Sequence, residues 1–118
     1  MNYNILPANK YLPLQISKVF PGCIKITTHI HNGKADFYLL TQPGYNHLQQ
    51  HNKILRNEIV FKDIDTSVLS CVQRVNSGQY YLVIINNSGR DLEYSTHIEE
   101  NYEPPIASGI AGTSGLPF

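Results

Sequence analysis

The sequence predicts an all-β protein, an antiparallel β-sandwich of about seven short strands. Four observations carry this. Apolar residues alternate at period two through most of the 118 positions, the signature of strands with one buried face. Turn signals rich in Gly, Pro and Asn recur at roughly ten-residue spacing. No helical apolar pattern runs beyond two turns, and the eight tyrosines without a tryptophan suit a half-wet β surface. The domain is expected over residues 1–103, with 104–118 as a Gly/Pro/Ser-rich tail or linker.

In chain order, "YLPLQISKV" (11–19) puts Leu12, Leu14 and Ile16 on one face. After the Pro21-Gly22 turn, "CIKITTHIH" (23–31) places Ile24, Ile26, Thr28 and Ile30 inward. Lys25, Thr27, His29 and His31 then share the outward face. Asn32-Gly33 is the favoured pair for a type I′ turn, which needs φ > 0 twice. The spacing therefore predicts a hairpin to "KADFYLLT" (34–41), and a Gly33→Val replacement is expected to destabilise it. Residues 42–57 open on Pro43-Gly44 and are rich in amides; a long loop with one helical turn around Tyr45–Asn52 is expected. "EIVFKDID" (58–65) and "TSVLSCVQRV" (66–75) read as extended. "QYYLVII" (79–85) is apolar on both faces, as a central strand covered on both sides would be. "NNSGRD" reads as its exposed turn, and residues 91–99 as a strand pairing back, with Leu92, Tyr94, Thr96 and Ile98 inward.

A chain of this length buries roughly two-thirds of its unfolded surface, enough for a core without staples. Composition is 42% apolar and 15% charged, with zero formal net charge. That balance argues against nucleic acid, which selects a basic field, and against electrostatic attachment to anionic lipid. No apolar run reaches the ~20 residues that span a bilayer. "MNYNILPANK" lacks the basic start and apolar centre of a secretory signal, so the expected location is the cytoplasm, or outside the cell if a signal peptide has been removed. Cys23 and Cys71 form no ligand-spaced pair. They read as small buried hydrophobes, with a bridge between adjacent strands as the alternative.

Two blocks, "GKADFYLLTQPGYNHLQQHNKI" and "VNSGQYYLVIINNSGRDLEY", resemble a β-sandwich pattern of GOLD-like (Golgi dynamics) domains and bacterial jelly-roll proteins. Asp36, Tyr38, Leu39 and Leu40 fit the first block. Gly78, Tyr80, Tyr81, Leu82, Val83, Asn86 and Asn87 fit the second. The resemblance spans roughly residues 12–100 and implies a GOLD-like or jelly-roll sandwich. It also implies a non-catalytic module for protein or lipid contact, binding through loops 42–57 and 86–91.

Candidate chemistry is sparse. His29 and His31 on one strand face are a two-ligand start for a metal site, with His97 as a third; the plainer reading is an exposed polar face. His47 and His51 have helical i, i+4 spacing, but Leu48 stands where the HExxH proteases carry glutamate. Asp63 and Asp65 share a strand face, the minimum for Ca²⁺, with no dense oxygen-ligand run beside them. Glu99, Glu100 and Glu103 read as a solvated edge. Ser77 and Ser88 lie in turns with no nucleophile-elbow context, and Asn86-Asn87-Ser88 is a glycosylation sequon. Tyr38, Tyr45, Tyr80, Tyr81, Tyr94 and Tyr102 would form a sugar-stacking row if coplanar and exposed.

These readings converge on a protein-interaction module, adaptor or assembly, without cofactor or metal and without enzymatic activity. Its expected contact residues are Tyr45, His47, Asn86, Asn87 and Arg90. The partner is expected to be a protein, with self-association and docking through the tail (Leu116-Pro117-Phe118) as further routes. The alternative is a carbohydrate- or small-ligand-binding sandwich.

Overall fold

A computed structural model describes residues 3–105 of the chain. Of the tail expected at 104–118, residues 106–118, with Leu116-Pro117-Phe118, lie outside the described residues. Eight strands form: β1 (Asn4–Leu6), β2 (Tyr11–Lys18), β3 (Gly22–Ile30), β4 (Ala35–Thr41), β5 (Ile59–Thr66), β6 (Val68–Val75), β7 (Gly78–Ile85) and β8 (Leu92–Tyr102). They build two four-stranded antiparallel sheets, a front sheet in the order β1-β8-β3-β6 and a back sheet in the order β2-β7-β4-β5. Four ladders join strands whose numbers sum to nine (β1 with β8, β2 with β7, β3 with β6, β4 with β5). Two more, β3 with β8 and β4 with β7, complete the sheets. The sandwich class, the seven expected strands and their inward faces are therefore present; β1 was not foreseen.

The pairing departs from the sequence reading in two places. β3 and β4 lie in different sheets, so residues 31–34 form a corner rather than a hairpin. Neither Asn32 nor Gly33 adopts positive φ, which excludes the type I′ turn. Asn32 instead fastens the corner sideways: its Nδ2 donates to the Asp91 carbonyl at 3.2 Å and its Oδ1 accepts the Glu93 N–H at 2.7 Å. Gly33 is small because a Cβ there would sit 2.8 Å from Leu92 Cδ2, an atom of a fully buried side chain. Likewise β8 does not pair back on β7; it crosses to the front sheet and lies between β1 and β3.

The core fills the space between the sheets. Phe37, Leu39, Leu82 and Ile84 from the back sheet meet Ile24, Ile26, Ile30 and Leu92 from the front, all 0–2% exposed. Each such side chain contributes about 1.5–3 kcal/mol of burial free energy, set against the entropy of ordering the chain. Among the described residues the only successive strands that pair are β4 and β5, and they do so across α1 (Gln42–His51).

That helix corrects the expected loop. Thr41 Oγ1 accepts from Gly44 N at 3.2 Å, and Pro43 falls in the first turn, where a missing N–H costs nothing. The Pro-Gly pair thus sits inside a helix start. Asn52 ends the helix in a left-handed conformation (φ 54°), its N–H returning to Leu48 O. Tyr45 and Leu48 pack on Leu40 and Val83, covering the outer face of the back sheet. β7 is consequently buried on both faces, as its sequence predicts, and Tyr45 stacks on Tyr81 with ring centroids 4.0 Å apart and planes at 20°. A single 3-10 turn at Arg56–Glu58 then leads into β5.

Candidate functional site

Four connections gather at one end of the sandwich: 7–10, 31–34, the Ser67 crossing and 86–91. Asn86 is the peg that locks them. It is fully buried, and its Nδ2 donates to the carbonyls of Leu6 (2.9 Å), Pro7 (3.1 Å) and Arg90 (2.7 Å). Its Oδ1 accepts from Ser88 N at 2.9 Å and Ser88 Oγ at 2.7 Å, while its own N–H reaches Lys10 O at 2.9 Å. Asparagine suits this place because one amide supplies donors and acceptor together. Asn86 is a framework residue and not the contact residue expected from sequence; the same burial hides the sequon's acceptor amide.

Asp36 is the second fastener. Its Oδ1 accepts the Asp65 N–H at 2.8 Å and its Oδ2 accepts Asn87 Nδ2 at 2.8 Å. The first contact holds Asp65 in a left-handed conformation (φ 56°). The Arg90 guanidinium donates through Nη2 to the Asn32 carbonyl, tying 86–91 to the 31–34 corner. Between these groups lies a cleft of about 240 Å³, lined by Lys34, Asp36, Asp65, Ile85, Asn87, Ser88 and Arg90 among others. Two basic and two acidic side chains surround it, and neither Lys34 nor the Asp65 carboxylate is bonded to another side chain among the described residues. Charges of both signs in one cleft give it the means to orient a charged or strongly polar group by sign.

Of the residues expected to bind, Asn87 and Arg90 meet in this cleft. Tyr45 and His47 do not join them. Tyr45 is 9% exposed beneath α1, where burial and then its neighbours Tyr11 and Tyr81 push its hydroxyl pKa up. His47 lies on α1 beside His51, ring centroids 4.5 Å apart. Lys34, Asp65 and Ser88 were missed as cleft residues. The left-handed backbone at Asp65 breaks strand alternation, so Asp63 and Asp65 are not a facing pair, and Ser88 was read as a turn and sequon residue.

The remaining clusters resolve plainly. His29 and His31 have centroids 4.1 Å apart, Tyr3 stacks on His31 at 3.7 Å, and His31 Nε2 lies 3.2 Å from Ser95 Oγ. His97 instead turns to Glu99 at 3.6 Å. Among the described residues no three His, Cys, Asp or Glu side chains converge as a metal site would require. The tyrosines form no exposed row: Tyr80 and Tyr94 are core, Tyr45 is buried, and Tyr38 and Tyr81 pack under the helix. Cys23 and Cys71 are free thiols. No helix among the described residues is long and apolar enough to cross a membrane. No protein-family model matches the chain, and the curated proteins include no significant match to it.

Proposed function

We propose that the protein is a non-catalytic interaction module on a jelly-roll sandwich, engaging a protein partner at the charged corner cleft. The jelly-roll reading is supported by the ladders whose strand numbers sum to nine: one long antiparallel ribbon rolled into two sheets gives this order. The GOLD-like reading draws support from the Asp36–Asn87 hydrogen bond, which joins the two sequence blocks that carry the resemblance.

One observation carries the functional reading. The cleft's charged groups stand on connections held rigid by the buried Asn86 and by Asp36. Binding residues on loops fixed by a rigid scaffold lose little entropy on association. The mixed signs select a partner surface of complementary pattern, with electrostatics setting specificity and association rate. Free thiols suit a reducing compartment, so the partner is sought in the cytoplasm.

The test is capture of partners by the full chain against Lys34→Glu and Asn87→Ala variants, with His47→Ala on α1 as control. The reading expects one partner to bind wild type and His47→Ala alike, to weaken about 10-fold or more with Lys34→Glu, and to weaken with salt. A partner held equally by all four proteins at every ionic strength would refute the cleft as the contact.

A further inference from the structure

A second cleft lies at the opposite end of the sandwich, between the β2–β3 loop and the end of β8. It measures about 200 Å³ and includes Lys18, Phe20, Gly22, Asn101, Tyr102 and Glu103 in its lining. We propose that this cleft binds a small apolar monocarboxylate, its charge held by Lys18 and its body by Phe20 and Tyr102.

The argument starts from the strand pattern. Lys18 continues the inward row of Leu12, Leu14 and Ile16, and it is 6% exposed. Its ammonium donates to the Glu100 carbonyl at 2.7 Å and to Asn101 Oδ1 at 3.3 Å. Both acceptors are neutral, and Lys18 joins no salt bridge among the described residues. Two of its three donors are thus used, and no carboxylate pairs directly with it among the described residues. A buried cation in that condition keeps its desolvation cost until an anion reaches it. Gly22 leaves the approach open, since a Cβ there would come within 3.3 Å of Lys18 Nζ.

The apolar part follows from Phe20. It is 73% exposed and lines the cleft together with Tyr102, over whose ring Lys25 Nζ sits 5.0 Å from the centroid. Glu103, exposed on the same rim, opposes a second negative charge, so a monocarboxylate is favoured over phosphate or a dicarboxylate. The volume is below the ~300–1,000 Å³ of drug-sized sites: it admits one ring or short alkyl chain. A free acid and the terminal carboxylate of a peptide ending in an apolar residue share this chemistry. The inference concerns a different end of the molecule from the corner cleft and stands or falls separately.

The experiment titrates ¹⁵N-labelled full chain with 3-phenylpropionate, with neutral 3-phenylpropanamide, and with tripeptides ending in free or amidated phenylalanine. Saturable shifts of the Gly22, Asn101 and Tyr102 amides by the acid, with a Kd of about 1 mM and at least ~10-fold weaker binding of the amide, are expected. Tighter binding of the free-terminus peptide than of the acid assigns the site to chain termini; the reverse order assigns it to free acids. Lys18→Met abolishes the shifts, and Phe20→Ser, a change at an exposed position that preserves the fold, weakens them. Equal response to acid and amide, a stronger response to inorganic phosphate, or no saturable shift by ~10 mM acid or peptide overturns the proposal.

Discussion

Replacing Asn86 by alanine removes about four side-chain hydrogen bonds from a fully buried position, two hydrogens of Nδ2 shared among three carbonyls and two bonds accepted by Oδ1. At ~0.5–1.5 kcal/mol net for each, discounted because the 86–91 connection lets water reach some of the freed groups, the loss comes to about 3–4 kcal/mol. That is a large share of the ~5–15 kcal/mol a domain commands, and at about 4 °C per kcal/mol it lowers Tm by about 12–16 °C. Urea unfolding followed by circular dichroism measures it. Asn86→Asp sharpens the test, since it preserves volume and the acceptor but aims a carboxylate oxygen at three carbonyls. Its folded pKa is then raised above the unfolded ~3.9. A raised pKa means that the folded state binds the extra proton, so this variant's stability is retained below ~pH 4 and lost as pH rises through the folded value. Its deficit against wild type therefore widens from pH ~4 to ~7. An alanine loss below ~1 kcal/mol, or an aspartate deficit flat with pH, would refute Asn86 as the peg of the corner loops.

Three further outcomes are expected. Gly33→Asn, harmless in a type I′ turn, destabilises by about 1–3 kcal/mol because any Cβ overpacks against Leu92; unchanged Tm would restore the hairpin. His31 has its pKa lowered from 6.5, first by desolvation, next by the His29 charge, with Glu93 opposing. Its folded form binds fewer protons, so its contribution is present above pH 6.5 and lost as pH falls below that value through the lowered one; His31→Asn removes this part of the slope in denaturation between pH ~7 and ~5. Cys23 faces Arg74 and Cys71 faces Ile26 on the β3–β6 ladder, an offset of about 10 Å along the strands, too far for a bridge. Burial, then Asp63, raises the Cys71 pKa, so thiol reagents label the native chain slowly and both cysteines promptly in urea, with no disulfide in the mass spectrum of air-oxidised native protein.

The strands were legible because burial of one face writes period two into the chain, as Leu12-Leu14-Ile16 and Leu92-Tyr94-Thr96-Ile98 show. Their partners were not, because alternation records which face is covered and not which neighbour lies alongside. Asn32-Gly33 carries the composition of a tight turn, yet its amide works for Asp91 and Glu93 and its glycine for Leu92, contacts some sixty positions away. Only one turn of α1, around Tyr45–Asn52, was legible, because Pro43-Gly44 read as the opening of a loop and the cap at Thr41 was not weighed. β1 is three residues long, too short for any period to register. In the corner cleft, Asn87 and Arg90 were readable as loop residues, whereas Lys34 and Asp65 join them only through the crossing of chain between sheets.

The nested ladder order also dictates how this chain comes together during synthesis. β8 lies between β1 and β3, and β7 between β2 and β4, so neither sheet has its middle until the last of its own strands leaves the ribosome. Only the β4–α1–β5 unit pairs neighbours in sequence and can form early at low loop-closure cost. Until residue 102 emerges, β1 and β3 present bare edges to any passing strand. Nascent chains are therefore most exposed to misassociation in the interval before residue 102 emerges, and what shields that interval governs the yield of folded protein.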